Sequence, residues 1–468
     1  MIKRTVLSIA EMAGGTLAPG TDPSLIIHGV SKDTRTLPPG CLYIPLIGES
    51  FDGHQFVQDA IDKGAAASFW QKDHEQPPAG VPLIFVEDTL AALQTLAKSY
   101  HQQLDVRIVG ITGSNGKTTT KDMTAAVLST TYKVHKTLGN YNNHIGLPLT
   151  LLQLEEDTQI AILEMGMSSR GEIRFLSELA EPEIALITNI GESHLLQLGS
   201  REEIARAKTE ILAGLQQDGT LVYNGDEPLI EQVLSELEQN DAPMKTKRYH
   251  RVKFGAGSHN DLVPIHVRMD AAGTHFEVQR FNEVPFYIPL LGSHNVVNAL
   301  SAIAVGVHFG IAVTTIAQGL KTFEMTSMRI EMMKAPSGLT ILNDAYNASP
   351  TSMKAALKLL KELQGYKRKI VVLGDMLELG DQEAEFHRQI GAMLDPQQID
   401  RVYVFGKLAR HIADEAARRY PQGRVLVFDD KSRLAQALAA YAASDDVVLV
   451  KGSRGMKLEQ VVQLLQQL

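Results

Sequence analysis

Gly110-Ile-Thr-Gly-Ser-Asn-Gly-Lys-Thr-Thr-Thr120 is the stretch that decides the fold. It overlaps the end of a mostly apolar run, Val106 to Ile111, and leads into a helical pattern that begins near Lys117. Such a run is typical of a strand buried on both faces of a parallel sheet. Glycines let the backbone curl so that its N–H groups face a phosphate, and the N-terminus of the helix adds a partial positive charge. The stretch therefore predicts a phosphate-binding loop in an α/β domain.

The side chains of this loop narrow its ligand to a nucleotide. Lys117 would reach the β- and γ-phosphates, and the hydroxyl of Thr118 or Thr119 would hold Mg²⁺. The generic motif GxxxxGK[ST] needs a glycine where Ile111 stands, so a glycine-rich turn without a ligand is the alternative. The loop alone favours ATP or GTP and says nothing about the reaction.

Strand patterns recur on both sides of the loop and predict three α/β domains. The 468 residues suggest three domains at about 150 residues each. Residues 1–104 predict a small mixed α/β domain, and residues 105–324 predict a central domain with a parallel sheet, as in P-loop ATPases. Within it, an alternating pattern from Leu262 to Leu291 predicts an antiparallel patch. Residues 325–468 predict a Rossmann-like α/β domain, because buried-strand runs there each end at a glycine.

Acidic and histidine side chains follow strands of the predicted central sheet. Glu164 closes the strand Ile160 to Leu163, and His194 follows the strand Ile184 to Ile187. Because the carboxyl ends of parallel strands share one edge of the sheet, both side chains would lie near the phosphate loop. There we expect them to bind Mg²⁺ and not merely to be solvated polar residues at the strand ends. Lys208 lies inside a helical pattern and, on that pattern alone, is a solvated surface lysine.

The segment from Lys136 to Leu147 is a long polar loop that contains three asparagines and a histidine. Such a density of neutral hydrogen-bonding groups suits a loop that holds a polar ligand. Asparagines are also common in turns that bind no ligand, so the composition of the loop does not decide between the two interpretations.

Charge and cysteine content exclude several classes of protein. Lys plus Arg is 45 and Asp plus Glu is 54, so the net charge of −9 argues against a nucleic-acid-binding surface. Cys41 is the single cysteine, which rules out an internal disulfide and a thiolate metal cluster and fits a reducing compartment. No apolar run approaches the roughly 18 residues that span a bilayer. We therefore expect a cytoplasmic protein with small-molecule ligands, no nucleic-acid partner and no membrane span.

Ordered sequence blocks make the chain similar to the Mur ligases, the ATP-dependent amide-forming enzymes of peptidoglycan synthesis. The phosphate loop has the family's form from Thr112 to Thr119, which explains its imperfect match to the generic motif. The resemblance runs from about Ser31 to Lys457. The other blocks follow in the family's order: Asn140–Gly146, Glu164–Gly166, Thr188–His194, Ala207–Lys208, Gly292–Asn298, Met328–Arg329, Asn343–Pro350 and Gly374–Gly380.

The resemblance implies a metal and phosphate centre in the central domain. Lys117 would bind the β- and γ-phosphates, Thr118 and Glu164 would bind a first Mg²⁺, and His194 would bind a second. Lys208 matches a lysine that family members carry as a carbamate, so the resemblance reverses its interpretation as a surface lysine. The implied catalytic residues are Lys117, His194, Lys208 and Arg329, and the implied metal ligands are Thr118, Glu164, His194 and Lys208.

The remaining ATP contacts would come from both the central and the C-terminal domain. Asn295 and Asn298 would lie by the adenine, Asp344 would hold the ribose, and Arg329 would contact the γ-phosphate. The ATP site would then be complete only when the two domains close. The implied ATP-binding residues are Gly113, Ser114, Asn115, Gly116, Lys117, Thr118, Thr119, Asn295, Asn298, Arg329 and Asp344.

The other blocks would bind the two remaining substrates. Ser31–Arg35 and Gly48–His54 resemble a site for a uridine nucleotide, while Asn347–Pro350, Gly374–Gly380 and Lys451–Arg454 would meet an incoming dipeptide. The implied substrate-binding residues are Ser31, Asp33, Thr34, Arg35, Asp52, His54, Asn140, Asn143, Asn347 and Ser349.

The implied activity is phosphorylation of a peptide carboxylate by ATP, followed by attack of an amine on the acyl phosphate. The Gly374–Gly380 block and the form of Asn347–Pro350 favour the branch that adds D-alanyl-D-alanine to UDP-N-acetylmuramoyl-tripeptide, acting as a monomer. Two alternatives remain: a relative that adds a single amino acid or is of the folylpolyglutamate type, and a nucleotide-operated switch or binding protein. The switch would explain the phosphate loop but not the blocks of the third domain.

Overall fold

The computed structural model describes residues 1–240, 246–270, 272–324 and 331–467. These residues form three α/β units in chain order, and the predicted fold class is confirmed. The domain boundary predicted between residues 324 and 325 adjoins residues 325–330, which lie outside the described residues. Within the described ranges, no helix has both the length and the apolar character that crossing a membrane requires.

The N-terminal unit is built on a small sheet. Its strands are β1 (Lys3–Thr5), β2 (Thr16–Leu17), β3 (Ile26–His28), β4 (Val30–Ser31), β5 (Leu42–Tyr43), β6 (Ala67–Gln71) and β7 (Leu83–Val86). Its α-helices are Val6–Ala13, Val57–Asp62 and Thr89–His101. The order in the main sheet is β2–β7–β6–β5–β4, with only the β2–β7 pair antiparallel, while β1 and β3 form a separate antiparallel pair.

The central unit carries the predicted parallel sheet. Its strands are β8 (Arg107–Thr112), β9 (Val134–Lys136), β10 (Ile160–Glu164), β11 (Ile184–Ile187), β12 (Gly219–Asn224) and β13 (Tyr249–Phe254), in the order β13–β12–β11–β8–β10–β9. The predicted antiparallel patch is confirmed as β14 (Pro264–Met269), β15 (Thr274–Val278) and β16 (Phe286–Ile288). The α-helices are Lys117–Leu128, Gly146–Leu152, Glu172–Ala180, Leu195–Leu198, Arg201–Thr209, Pro228–Asn240, Ser293–His308 and Val313–Lys321.

Alternate residues of the central strands enter two different cores, as the twofold repeat of a strand requires. Ile160 and Ile162 pack with the helices that begin at Lys117 and Ser293. Ala161 and Leu163 face the opposite side, where the core is continuous with that of the N-terminal unit. There the Tyr100 hydroxyl donates a hydrogen bond of 2.8 Å to a backbone carbonyl of the central unit. The N-terminal unit is therefore fixed to one face of the central sheet.

The C-terminal unit contains a second, mainly parallel sheet. Its strands are β17 (Glu331–Lys334), β18 (Thr340–Asp344), β19 (Lys369–Gly374), β20 (Arg401–Phe405), β21 (Val425–Phe428) and β22 (Val447–Lys451), in the order β17–β18–β22–β19–β20–β21. Strand β17 is antiparallel to its neighbour at one edge. The α-helices are Pro350–Glu362, Glu383–Met393, Arg410–Ala417, Lys431–Ala439 and Glu459–Leu465. Short 3₁₀ turns lie at Gly53–Phe56, Glu210–Leu212, Gln279–Phe281, Gly380–Gln382 and Arg454–Met456.

Candidate active site

Two glycines give the phosphate loop its shape. Gly113 has φ +147°, and a Cβ atom there would lie 1.8 Å from the hydroxyl oxygen of Thr188. Gly116 has φ +81°, and a Cβ atom there would lie 2.6 Å from Oδ1 of Asn298. Both positions combine a left-handed backbone with close neighbours, so a side chain at either one would disturb the loop.

The loop is held by the segment that follows β11. Asn189 accepts the backbone N–H of Ser114 on its carbonyl oxygen at 3.1 Å and that of Asn115 on its side-chain oxygen at 3.0 Å. The Thr188 hydroxyl donates to the carbonyl of Asn115 at 2.6 Å. Lys117, at the start of the helix, donates to the carbonyl of Gly113 at 2.8 Å. The loop is therefore preshaped by protein contacts.

Glu164 lies beside the loop as a buried carboxylate. It is 3% exposed, and it accepts hydrogen bonds of 3.0 Å from the Thr118 hydroxyl and from the side-chain amide of Asn142. Among the described residues, these neutral groups are the donors to its side chain. The buried amine of Lys121 lies within the electrostatic reach of Glu164 but donates its hydrogen bond to the carbonyl of Thr137 at 2.9 Å. A hydroxyl next to a carboxylate is a ligand set that suits Mg²⁺. Thr118 and Glu164 thus fit the predicted metal site.

Lys208 is a buried amine next to the same centre. It is 2% exposed, in the last turn of Arg201–Thr209. Burial, and then the charge of Lys117, lowers the pKa of Lys208 well below its usual value, and within the described chain no acidic group offsets this shift. Burial together with Lys208 and Lys117 also lowers the pKa of His194 to about 4. A neutral imidazole and an amine that readily loses its proton therefore lie near Lys117.

A cavity of about 470 Å³ joins the phosphate loop to the C-terminal unit. Asp344 and Lys451 end the neighbouring strands β18 and β22, and their side chains are 2.5 Å apart. Lys451 also donates to the carbonyl of Asn347 at 3.0 Å. Eight of the eleven predicted ATP residues, drawn from both units, thus line one cleft. Its lining includes Ser114, Asn115, Gly116, Lys117, Thr119, Asn142, Glu164, His294, Asn295, Asn298, Asp344, Asn347 and Lys451.

The two asparagines that the family resemblance places beside the adenine are hydrogen-bonded to each other. The amide of Asn298 donates to Oδ1 of Asn295 at 3.2 Å, and the amide of Asn295 donates to the carbonyl of Leu291 at 2.9 Å. Both side chains line the cavity. Arg329, predicted at the γ-phosphate, lies outside the described residues.

Contacts across the cleft tie the C-terminal unit to the central unit. The Thr351 hydroxyl donates to the Glu192 carboxylate at 2.8 Å, and Ser349 donates to Oδ1 of Asn115 at 3.3 Å. Ser349 also caps the helix Pro350–Glu362. The structure thus places this predicted substrate residue at the junction between the helix and the phosphate loop.

The predicted uridine-nucleotide residues pair with one another in the N-terminal unit. The Ser31 hydroxyl donates to the carbonyl of Asp33, and the Asp33 carboxylate binds the Arg35 guanidinium at 2.6 Å. Hydrogen bonds from Arg35 hold the pKa of Asp33 well below its usual value. Thr34 hydrogen-bonds to Asp59, which lies in the helix Val57–Asp62.

Asp52 and His54 form a second paired cluster with His74. Asp52 accepts hydrogen bonds from His54 at 2.7 Å and from His74 at 2.8 Å, and the two imidazoles stack at 4.2 Å. Burial raises the pKa of Asp52, but hydrogen bonds from both histidines outweigh it and lower the pKa to about 2. Burial lowers the pKa of His54, and Asp52 opposes that shift. The other ring nitrogen of His54 accepts the Gln71 backbone N–H at 3.2 Å, so the cluster is satisfied by protein groups.

The asparagine loop divides its polar groups between structure and site. Asn143 accepts the backbone N–H groups of Ile145 and Gly146 and so caps the following helix, and the carbonyl of Asn140 accepts the N–H of Asn142. Asn142, absent from the predicted site residues, is the member that reaches Glu164. The sequence reasoning also missed Asn189, Glu192 and Glu378. All three lie inside blocks that it had singled out, but sequence order did not show which side chains meet.

A larger cavity, of about 640 Å³, lies on helices of the central unit away from the phosphate loop. Its arginines are already paired with carboxylates: Arg170 binds Glu203 and Glu210, and Arg206 binds Glu236. Since its charges are satisfied internally, we assign the chemistry to the smaller cavity, where the phosphate loop and the buried carboxylate of Glu164 face the C-terminal unit.

Comparison with known proteins agrees with this geometry along the whole chain. Residues 26–101 match the family model described as Mur ligase family, catalytic domain; residues 111–306 match the Mur ligase middle domain; and residues 328–454 match the Mur ligase, glutamate ligase domain. The chain belongs to the Mur ligase family.

Individual relatives narrow the similarity to one branch of the family. The chain is 54% identical to the UDP-N-acetylmuramoyl-tripeptide--D-alanyl-D-alanine ligase of Bacillus subtilis (strain 168), over 99% of this chain and 98% of that protein. The crystal structure of MurF from Acinetobacter baumannii matches with a TM-score of 0.88 at 27% identity, covering 100% of both chains. MurF ligase from Thermotoga maritima in complex with ADP matches with a TM-score of 0.80 at 27% identity, covering 94% of this chain and 97% of that one.

Proposed function

We propose that this chain is an ATP-dependent ligase that joins D-alanyl-D-alanine to the terminal carboxylate of UDP-N-acetylmuramoyl-tripeptide, forming the pentapeptide precursor of peptidoglycan with release of ADP and phosphate. The observation that carries the proposal is the cavity in which the phosphate loop and Glu164 face Asp344 and Lys451. The choice of substrates is supported by the 54% identity to the ligase of Bacillus subtilis.

The reaction must turn a poor electrophile into a good one. In the first step, the γ-phosphorus of ATP forms a bond to an oxygen of the peptide carboxylate, and its bond to the β-phosphate oxygen breaks to release ADP. The free amine of D-alanyl-D-alanine then attacks the carbonyl carbon of the acyl phosphate. A C–N bond forms, the C–O bond to phosphate breaks, and the nitrogen loses one proton.

The chain's residues supply what the first step lacks, which is a way to bring two anions together. Lys117 and the N-terminus of the helix Lys117–Leu128 would neutralise the β- and γ-phosphates, and Arg329 would contact the γ-phosphate from the C-terminal unit. Asp344 would bind the ribose while Lys451 holds its carboxylate in place. Closure of the cleft would keep water from the acyl phosphate.

Thr118 and Glu164 would hold one Mg²⁺, while His194 and Lys208 would hold a second. Bound Mg²⁺ would supply charge neutralisation between the phosphates and the carboxylate. The buried carboxylate of Glu164 and the neutral imidazole of His194 support these roles.

Lys208 would serve as a carbamate. The lowered pKa of Lys208 favours the neutral amine, which adds CO₂ by forming an N–C bond and releasing one proton. Enzyme equilibrated with ¹³C-bicarbonate should show a carbamate carbon signal that Lys208→Ala abolishes. The Lys247→Ala control, which removes a half-buried lysine whose pKa is also lowered by burial, should retain the signal. A short carboxylic acid should restore activity to Lys208→Ala. Wild-type activity of Lys208→Ala without rescue would eliminate the carbamate.

The substrate blocks would divide by unit. Ser31–Arg35 and Gly48–His54 would bind the uridine nucleotide, with Asn140 and Asn143 nearer the peptide. Asn347–Pro350, Gly374–Gly380 and Lys451–Arg454 would meet the dipeptide. We further propose that the enzyme acts as a monomer in the cytoplasm, where its nucleotide substrates occur. Light scattering of the purified protein tests the oligomeric state.

A coupled assay with panels of acceptors and amine donors tests the function. Phosphate release from ATP should need both UDP-N-acetylmuramoyl-tripeptide and D-alanyl-D-alanine, and the product mass should increase by the two alanine residues. Acceptors with lysine or diaminopimelate as the third residue identify the preferred peptide. Phosphate release without the dipeptide would favour a nucleotide switch, and equal use of single amino acids or folate acceptors would favour another branch of the family.

A further inference from the structure

His194 and Glu378 meet at the cleft in an unusual backbone state. Among the described residues, seven other than glycine have a positive φ, and these two are a pair, with φ +67° and +64°. His194 Nδ1 lies 3.0 Å from Oε2 of Glu378, although the two residues belong to different units. A left-handed backbone conformation is unfavourable for a residue that carries a side chain. It persists where the surrounding structure imposes it, as at functional sites.

The surroundings that impose this arrangement come from both units. The carbonyl of Glu378 accepts the backbone N–H of Leu196 at 3.0 Å, which docks the Gly374–Gly380 block on the segment after His194. The block itself is anchored in the C-terminal unit, where Leu377 N–H donates to the Ser453 hydroxyl at 2.9 Å. The Glu378 carboxylate is therefore delivered to His194 by backbone contacts and not by a flexible side chain alone.

The imidazole of His194 has one nitrogen that needs a partner. Nδ1 is buried without a well-aligned hydrogen bond, because the contact with Glu378 is short but off the N–H axis. A neutral ring carries one N–H and one lone pair, so it can donate to a carboxylate while the second nitrogen faces a metal ion.

We propose that Glu378 is a positioning residue whose carboxylate accepts a hydrogen bond from the Nδ1–H of His194 when the two units close, and so orients the Nε2 lone pair toward the second Mg²⁺. A carboxylate behind a metal-bound imidazole fixes the tautomer and raises the basicity of the ligand. Closure of the C-terminal unit would then complete the metal site as well as the ATP site. The inference rests on the proposed metal role of His194.

Binding of Mn²⁺, followed by electron paramagnetic resonance on the full chain with a non-hydrolysable ATP analogue, tests the inference without turnover. Wild-type protein should bind two ions. Glu378→Ala should bind the second ion about 10- to 100-fold more weakly and the first ion unchanged. Glu378→Gln, whose amide oxygen can still accept the hydrogen bond from Nδ1–H, should lose less affinity for the second ion than Glu378→Ala does.

Two controls separate orientation of the ring from general effects. Asp381→Asn removes an exposed carboxylate directly after the Gly374–Gly380 block. Thr351→Val removes the hydroxyl contact to Glu192 across the same cleft. Both should retain the wild-type affinity for the second ion. The inference is overturned if Glu378→Ala binds both ions as the wild type does, if the wild type binds one ion, or if Thr351→Val weakens the second ion equally. Lack of phosphate release in the coupled assay would instead count against the ligase function.

Discussion

The nucleotide cavity and the N-terminal loop region contain polar residues of the same kinds, but the residues are used differently. We define the N-terminal loop region as residues 31–35, 48–54 and 74. In that region Asp33 binds Arg35, and Asp52 binds both His54 and His74. In the cavity, the carboxylate of Glu164 accepts hydrogen bonds from neutral donors. The amine of Lys208 is buried near Lys117, and among the described residues no acidic group opposes the lowering of its pKa.

This difference separates residues that shape a loop from residues that await a charged ligand. A buried group without a counter-charge raises the free energy of the folded protein, and a bound cation or anion lowers it again. A paired group keeps its stabilising contact whether or not ligand is bound. We therefore expect substitutions of the cavity residues to change activity with little effect on stability. Substitutions in the N-terminal loop region should lower stability more than they lower activity.

The largest effect is expected for Lys117→Ala. Loss of the cation proposed to face the β- and γ-phosphates should lower kcat by about 10³-fold, because phosphoryl transfer depends on charge neutralisation. Binding of the uridine nucleotide, measured by calorimetry, should stay close to wild type, since its proposed site lies in another unit. If a folded Lys117→Ala variant lost uridine-nucleotide binding to the same degree as activity, the proposed separation of the two sites would be wrong.

Glu164→Gln should lower activity with little change in stability. Removing the carboxylate proposed to bind the metal should reduce kcat by about 10²-fold. The amide can keep Thr118 and Asn142 as hydrogen-bond partners, and Lys121 keeps its bond to the carbonyl of Thr137, so the metal-free variant should unfold near the temperature of the metal-free wild type. Adding Mg²⁺ and ATP should stabilise the wild type more than the variant. Much lower stability of the metal-free variant would show that Glu164 serves the fold and not the ligand.

The fold was largely predictable because it follows from local patterns. Apolar runs that end in glycine or polar clusters predicted parallel strands, and the alternating segment predicted the antiparallel patch that begins near Leu262. The shared core of the N-terminal and central units was not predictable. It depends on contacts such as Tyr100 with the carbonyl of Leu154, 54 residues apart, which no period in the sequence encodes.

The parts of the candidate site that lie directly at the ends of strands were predictable from the sequence. Glu164 and the phosphate loop end the adjacent strands β10 and β8, so topology alone brings them together. Asn189 and Glu378 could not be found that way, because the partner of each lies in a distant segment of the chain, Asn115 for Asn189 and His194 for Glu378. Lys208 was assigned by family resemblance, and its burial is the physical feature that helical pattern alone did not reveal.

Gly116→Ala should produce a smaller loss, confined to the cavity. Gly116 and Gly171 both precede a helix with left-handed φ, +81° and +89°, so alanine at either costs about 1 kcal/mol of backbone strain. A Cβ atom at position 116 would also lie 2.6 Å from Asn298, whereas position 171 has no atom within 4 Å. Gly116→Ala should therefore raise KM for ATP about 10-fold or more, and Gly171→Ala should leave it unchanged. Equal effects on KM would show that strain, not the contact with Asn298, matters.

The smallest effect is expected at Asp52, where the residues are paired. The pKa of Asp52 is lowered to about 2 in the folded protein, so its contribution to stability is present above its unfolded pKa, near 4, and is lost as the pH falls through about 2. Asp52→Asn should reduce the stability of the N-terminal unit by about 1 kcal/mol at pH 7, with the difference shrinking below pH 4, as seen in the denaturant dependence of fluorescence from Trp70, the single tryptophan. Trp70 packs edge-on against His54 and His74, so its emission reports on this cluster. The exposed Asp62→Asn control should match the wild type. If Asp52→Asn is as stable as the wild type at pH 7 but fails to bind the uridine nucleotide, Asp52 serves the ligand directly and the contrast between the two regions disappears.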